Sequence, residues 1–373
     1  MNKKGLYIHI PFCRKKCAYC DFYSLCDFRY EDDYISALTN HISLIRRDNE
    51  SVYDTVFIGG GTPSALSPNS LDKLFNSLKE LNISENAEIS LEANPATLDI
   101  EKLKIISDGG VNRISLGLQS ASDTELSVIS RIHNYSEFLS TYELVRKYVN
   151  NVNVDLMYGL PSQSIKSFEN TLMSVSAISP EHISVYGLRI EDDTPFGKIK
   201  DSLILPSEDN FSDMYLLATD ILRSSGYSKY EISNFSKDGY ECKHNLKYWQ
   251  GCEYIGLGPC AHSYSDNVRY SYKRDIKGYI DSLKNNRFPE YGEYHILSSD
   301  DLLCERIMLS LRLARGLDTK ELFRKFGKNI LSDRKDEIDL FVSGGYAKKE
   351  NDFIYLTDKG MLVSNYIISE LLY

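Results

Sequence analysis

The 373-residue sequence predicts an α/β fold built on a partial (β/α)6 barrel, followed by an α+β C-terminal region that includes a winged-helix-like segment. Two observations carry the barrel. Six short apolar runs alternate with stretches of helical periodicity in the first half of the chain, the pattern of parallel strands joined by right-handed crossovers. Strand exits carry polar or glycine residues, and in such folds the chemistry sits at the carboxyl ends of the strands. A third observation marks the first exit: three cysteines crowd within eight residues there.

The first strand is predicted at Leu6 to Ile10. Tyr30, Tyr34, Ile35, Leu38, Ile42 and Ile45 recur at helical spacing and predict a helix over 29–47. Strands follow at 55–58, 88–92, 113–118, 152–157 and 182–188, with helices at 67–80, 99–107, 122–129, 136–148 and 164–177 between them. The stretch from Pro206 to Leu297 is less regular: a helix at 209–224, a short strand at 229–232, then loops rich in Tyr, Gly and His, expected to pack against the barrel. Helical patterns at 301–314, 319–326 and 332–342 then precede Gly344-Gly345 and two strand-like runs at 346–349 and 353–356, which read as winged-helix-like. Domain boundaries are therefore expected at 1–205, 206–297 and 298–373.

Composition narrows the function. A formal net charge of -10 gives no electrostatic footprint for a polyphosphate partner, and nearly equal numbers of basic and acidic residues in 298–373 favour packing over DNA binding there. No nucleic acid is expected as a partner. Hydrophobic content of 42% and charged content of 26% are ordinary for a soluble globular chain. Of eight cysteines, five are scattered (Cys26, Cys242, Cys252, Cys260, Cys304), which fits a reducing, cytoplasmic setting better than a disulfide framework. The early apolar run is broken by His9 and Pro11, and no segment reaches about 18 consecutive apolar residues, so neither a signal peptide nor a membrane span is expected.

Cys13, Cys17 and Cys20 have the spacing C-x3-C-x2-C, dense enough to hold a soft metal centre. Structural zinc wants four ligands, and no Cys or His partner lies at finger-like spacing. A cubane iron-sulfur cluster has four irons, so three cysteines leave one iron open to another ligand. The later exits add Gly59-Gly60-Gly61-Thr62, Glu92-Ala93-Asn94-Pro95, Gln119-Ser120, and Asp155 with Gly159-Leu160-Pro161. Three glycines leave backbone groups open to close approach by a polar ligand. Arg131 can supply a counter-charge to a ligand carboxylate. Singly, each residue is more often a turn or cap; jointly they make a site-like constellation. A second constellation, Lys243 to Trp249 and Tyr254 to Ser263, contains His244, Cys252, Cys260 and His262, which could ligate iron or haem, and Tyr248 with Trp249, which could stack on a flat macrocycle. A buried aromatic hairpin with a hydrogen-bonded histidine is the plainer alternative.

Taken together, these motifs resemble the radical S-adenosylmethionine (SAM) superfamily, whose mark is a C-x3-C-x2-C loop after the first strand of a partial (β/α)6 barrel. YIHIPFC, GGGTPS, EANP and LGLQS, in that order, are similar to the branch containing the oxygen-independent coproporphyrinogen III dehydrogenases and the HemW haem chaperones. The dehydrogenases typically carry another cysteine two residues after the third, and a longer N-terminal extension; Asp21-Phe22 after Cys20 and a start almost at the first strand favour the HemW group. HNLKYW is similar to that group's H-N-x-x-Y-W signature, associated with haem binding.

The resemblance implies that Cys13, Cys17 and Cys20 hold a 4Fe-4S cluster whose open iron is chelated by the amino and carboxylate groups of SAM. It implies that Gly60, Gly61 and Thr62 contact the methionine end, that Glu92, Gln119, Arg131 and Asp155 contact the cofactor, and that Tyr7 lies close to it. Pro11, Phe12, Tyr19 and Phe22 are expected to screen the cluster from water. His244 is the expected haem contact, with His262 behind it. The implied function is a cytoplasmic haem chaperone, peripherally associated with the membrane, that passes haem to respiratory proteins; a homodimer is compatible with it. The rival is an enzyme using a 5'-deoxyadenosyl radical for oxidative decarboxylation of coproporphyrinogen III, and a third reading is another radical reaction on haem itself.

Overall fold

Along the six expected strands, every second residue is aliphatic and buried: Leu6, Ile8 and Ile10, then Val56 and Ile58, Leu91 and Ala93, Ile114 and Leu116, Val152, Val154 and Leu156, and Ile183 and Val185. A period of two puts these residues on one sheet face, under the helices, and leaves Tyr7, Glu92, Ser115 and Asp155 on the other. The computed structural model, which describes residues 3–48 and 51–372, builds that pattern into strands β1 (Lys3–Ile10), β2 (Val52–Gly60), β3 (Ile83–Ala93), β4 (Arg113–Gln119), β5 (Asn151–Tyr158) and β6 (His182–Gly187). All five neighbouring pairs from β1 to β6 are parallel.

The crossovers are α1 (Glu31–Asp48), α2 (Pro68–Leu78), α3 (Ile100–Asp108), α4 (Asp123–Val128) with α5 (Tyr135–Val145), and α6 (Ile165–Ile178). Short polar side chains start them. Ser67, Asp99 and Ser164 accept from the backbone N–H three residues on, and Asn134 with Glu137 closes a capping box.

After α7 (Glu208–Ser224) the chain adds strands to both edges of the same sheet. β7 (Ser228–Lys229) and β8 (Asn234–Ser236) extend it beyond β6, antiparallel. The strand expected at 229–232 stops at Lys229 because the chain reverses: Glu231 accepts from the Ser233 N–H at 3.0 Å and from Asn234. The segment expected to be loops then forms the short helix α8 (Lys243–Trp249), β9 (Tyr254–Leu257), β10 (His262–Ser265), β11 (Val268–Tyr272), α9 (Ile276–Lys284) and β12 (Tyr291–Ile296). β9 runs parallel beside β1, and the full order is β12-β11-β10-β9-β1-β2-β3-β4-β5-β6-β8-β7, an open twelve-stranded sheet.

The C-terminal region comprises α10 (Ser299–Ser310), β13 (Leu317–Asp318), α11 (Thr319–Phe326), α12 (Ile330–Asp333), α13 (Lys335–Ser343), β14 (Ala347–Glu350), β15 (Phe353–Leu356), α14 (Asp358–Leu362) and α15 (Ser364–Leu371). β13, β15 and β14 form a separate three-stranded sheet. Asp358 ties this region to α7 and β7 through Arg223, at 3.0 Å, and Lys229. Among the described residues no helix is long and apolar enough to cross a membrane.

Candidate functional site

The cysteine loop leaves β1 and is bound on both sides by main chain. Leu25 N–H donates to the Pro11 carbonyl at 2.8 Å and Cys13 N–H to the Leu25 carbonyl at 3.0 Å, so the loop closes on itself. On its other flank, Gly61 N–H donates to the Ile10 carbonyl at 2.8 Å and Thr62 N–H to the Phe12 carbonyl at 2.7 Å. Gly61 has to be glycine for this approach, since a Cβ there would lie 2.7 Å from both carbonyl oxygens. Gly60 adopts φ +107°, and a Cβ on it would strike the His9 ring. These contacts correct one expectation. The N–H groups of Gly60, Gly61 and Thr62 are not open to a ligand, because Glu92 Oε2 takes the first at 3.0 Å and the cysteine loop takes the other two.

The strand exits converge on one cavity of about 470 Å³. Cys13, Cys17, Cys20, Gly60, Gly61, Thr62, Glu92, Gln119, Arg131 and Asp155 all line it. All eight cysteines are free thiols, and burial raises Cys13 and lifts Cys20 to about 11. Cys13 Sγ lies 3.3 Å from Thr62 Oγ1, and Arg131 Nη1 donates to Cys17 Sγ at 3.5 Å. Among the described residues no three His, Cys, Asp or Glu side chains converge on a single-ion site. Three thiols lining one cavity suit a polynuclear cluster, where each cysteine takes its own iron.

The polar wall is held rigidly. Asp155 accepts from Ser115 Oγ at 2.8 Å and Asn153 Nδ2 at 2.8 Å, and Asn153 also reaches Ser115 at 2.7 Å. A register shift between Gly117 and Gln119, with Gln119 at φ +76°, distorts the end of β4 beside Arg131. Arg131 donates to the Gly117 carbonyl, while its buried Nε has no partner. Burial, reinforced by the negative charge of Asp155, pushes Glu92 up to about 7. The residues expected there thus bring to the cavity two carboxyls, an amide, a guanidinium with an unspent donor and three thiols. That donor set matches a ligand with ammonium and carboxylate groups next to a soft metal centre.

Other expected positions fall elsewhere. Tyr7 opens onto a neighbouring cavity of about 570 Å³ instead, although its hydroxyl feels the Glu92 charge. Phe12 is buried beneath the loop, stacked on Phe28, whereas Phe22, 67% exposed, lines the first cavity together with Tyr19. The Gly159 turn lines a third cavity with Phe211, and Ser120 spends its hydroxyl on Glu125 at 2.6 Å. Tyr186, Arg189 and Glu191, at the exit of β6, join the first cavity without having been expected there. Their signal was the charged run after the sixth strand.

His244 needs the largest correction. Only 1% exposed, it has both ring nitrogens engaged: Nδ1 with Thr55 Oγ1 at 2.9 Å and Nε2 with the Tyr248 hydroxyl at 2.8 Å. It stacks on Phe57, and burial pulls its pKa down to about 3. A ring so committed has no lone pair for haem iron. The signature forms helix α8 because Glu88 accepts from the N–H groups of Lys243 and His244 at 3.0 and 3.1 Å. Tyr248, on the same helix, lines the 570 Å³ cavity.

Comparison with known proteins agrees with this architecture. Residues 7–175 match the model of the radical SAM superfamily, and residues 297–363 match that of the HemN C-terminal domain. The chain is 35% identical to the heme chaperone HemW of Bacillus subtilis, over 99% of each chain. It is 36% identical to the HemW of Buchnera aphidicola from Schizaphis graminum, over 98% of this chain and 97% of that one, and 33% identical to the Escherichia coli HemW over the same shares. The solved structure of the coproporphyrinogen III oxidase HemN from Escherichia coli superposes with a TM-score of 0.86 at 22% identity, covering 99% of this chain and 90% of that one, which establishes the shared fold. Full-length identity at this level, on a barrel whose first exit carries the three cysteines, shows that the chain belongs to the HemW family of the radical SAM superfamily.

Proposed function

We propose that this protein is a cytoplasmic haem chaperone that holds a 4Fe-4S cluster on Cys13, Cys17 and Cys20 and SAM in the 470 Å³ cavity, and delivers haem to respiratory proteins at the membrane surface. The observation that carries this reading is the convergence of the three thiols with Glu92, Gln119, Arg131 and Asp155 on one cavity. When bound, the cluster supplies an open iron and electron transfer. The chain's own residues do the rest. Arg131, with its unspent Nε–H, pairs with the ligand carboxylate, and Glu92 and Asp155 receive its cationic groups. Gly61 keeps the cysteine loop against the glycine turn, which fixes the thiols relative to that wall.

The heme chaperone name of the full-length relatives supports the haem half of the reading. So does Phe22, which stands where the dehydrogenase branch is expected to carry its further cysteine. Anaerobically reconstituted protein, given SAM, reductant and coproporphyrinogen III, is expected to form no protoporphyrinogen while binding haem stoichiometrically. Robust turnover would overturn the chaperone assignment.

A further inference from the structure

Behind the wall of the 470 Å³ cavity, toward the strand starts, lies a row of polar side chains set by strand register. Asn153 of β5 stands opposite Ser115 of β4 on one side and His182 of β6 on the other. Asn153, His182 and Tyr230 do not line the cavity, yet they are bonded to a residue that does. Asn153 Nδ2 donates to Asp155 at 2.8 Å and to Ser115 Oγ at 2.7 Å, and its Oδ1 lies 2.6 Å from His182 Nδ1. The opposite ring nitrogen meets the Tyr230 hydroxyl at 2.8 Å, and that oxygen accepts the Cys242 N–H at 3.3 Å. Cys242 immediately precedes α8. Its Sγ donates to Glu88 Oε1 at 3.5 Å, beside the Lys243 and His244 N–H groups that the same carboxylate accepts. A continuous hydrogen-bonded network thus runs from Asp155 to the first turn of α8.

Chemistry gives this network one direction. A carboxylate only accepts, so Asn153 turns its amide nitrogen to Asp155 and its carbonyl to His182. His182 is fully buried, and burial together with the Arg113 charge holds it well below the ordinary imidazole value, so the ring carries one proton. That proton sits on Nδ1, facing Asn153 Oδ1, which leaves Nε2 to accept from the Tyr230 O–H. The Tyr230 oxygen is then open to the Cys242 N–H. Each member is oriented by its neighbour, and a buried network satisfied in this way holds a single arrangement. Removing the Tyr230 hydroxyl releases it: His182 loses its donor at Nε2, its proton is free to move there, and Asn153 Oδ1 loses the partner that orients the amide toward Asp155.

We propose that His182 and Tyr230 are positioning residues of the 470 Å³ cavity: they act through Asn153 on Asp155, and through Cys242 they tie the filling of that cavity to the order of α8. This role rests on the reading above in which the cavity takes SAM. A ligand group that settles on Asp155 removes that side chain's freedom, and with it the freedom of each member behind it, down to the backbone N–H groups that start α8. Coupling between sites is reciprocal, so a network broken at Tyr230 weakens the ligand as well.

The test is hydrogen–deuterium exchange of the reconstituted holoprotein with and without SAM, alongside SAM binding by calorimetry, for the wild type, Tyr230→Phe, His182→Gln and a control, Tyr227→Phe. Tyr227 is another buried phenol, spent on the Pro180 carbonyl at 2.7 Å and outside the network. In the wild type SAM is expected to slow exchange across residues 242–249 by roughly threefold or more, and to leave α9 unchanged. Tyr230→Phe and His182→Gln are each expected to bind SAM about threefold to tenfold more weakly and to lose that protection, whereas Tyr227→Phe keeps both. Exchange in wild-type α8 that ignores bound SAM, protection retained by either network variant, or the same losses in Tyr227→Phe would overturn the positioning role and leave the cavity reading intact. Absence of SAM binding by the wild type would remove both.

Discussion

The Nε2 of His244 lies 2.8 Å from the Tyr248 hydroxyl, one helical turn on, while Thr55 holds the opposite ring nitrogen. The family signature on α8 is thus a buried bracket that aims Tyr248 at the second cavity. Replacing His244 by Ala should leave two hydroxyls without their partner and a void beside Phe57, costing about 2–4 kcal/mol of stability. Urea denaturation of the apoprotein would measure it; a variant as stable as the wild type would show that the bracket contributes nothing.

Acid should weaken the fold. Burial pulls His9 and His133 to about 4, His41 and His244 to about 3, and His182 well below its usual value. Below about 6.5 the unfolded chain protonates these imidazoles and the folded chain does not, so their contribution is complete above that pH and is lost as pH falls. Glu92 and Glu231, raised to about 7 by burial, act oppositely between their unfolded values and 7, but five imidazoles outweigh two carboxyls. His41, held by Tyr279 at 2.9 Å and Tyr272 at 3.2 Å, is the clearest probe. His41→Gln should reduce the dependence of unfolding free energy on pH between 6 and 4.5 by up to about 1.4 kcal/mol per pH unit. An unaltered slope would count against a neutral buried His41.

SAM affinity should rise with pH through the neutral range. Glu92 is largely protonated below about 7 and anionic above it, and a cationic ligand group favours the anion. Calorimetry across pH 6 to 8 should show affinity increasing and then levelling, with proton release on binding near pH 6.5. Glu92→Gln should bind more weakly and lose the trend; a pH-dependence identical to the wild type would clear Glu92 of that role.

Gly61 carries the fit between the glycine turn and the cysteine loop. A Cβ placed 2.7 Å from the Ile10 and Phe12 carbonyl oxygens has to push the strands apart, at a cost of about 1–3 kcal/mol. Gly61→Ala should therefore lower the apoprotein melting temperature and the iron retained after reconstitution together. Full iron content in a destabilised variant would separate the turn from the cluster.

The barrel was legible because period-two aliphatic runs such as Leu6, Ile8 and Ile10 alternate with capped helices, and strand exits of such folds converge whatever their distance in sequence. Gln119 and Asp155 could be placed on that topology alone. What escaped reading depends on contacts between distant parts of the chain. The helical state of Lys243 to Trp249 rests on the Glu88 carboxylate, 155 residues earlier, and the fate of the His244 ring rests on Thr55. Strands of two to five residues, such as those at 228–229 and 268–272, are too short for their periodicity to stand out. Tyr7 alternates correctly within β1, but which of two adjoining cavities it faces is decided by β9, which lies beside β1 only in three dimensions.

The central claim is that three thiols hold a cluster whose fourth iron faces the SAM-sized cavity. Electron paramagnetic resonance of the reduced, reconstituted protein, recorded with and without SAM beside Cys17→Ala, tests it most directly. The expected result is a cubane signal with about four irons per chain that shifts when SAM is added and is absent from Cys17→Ala. A signal indifferent to SAM, or an intact one in Cys17→Ala, would contradict the account.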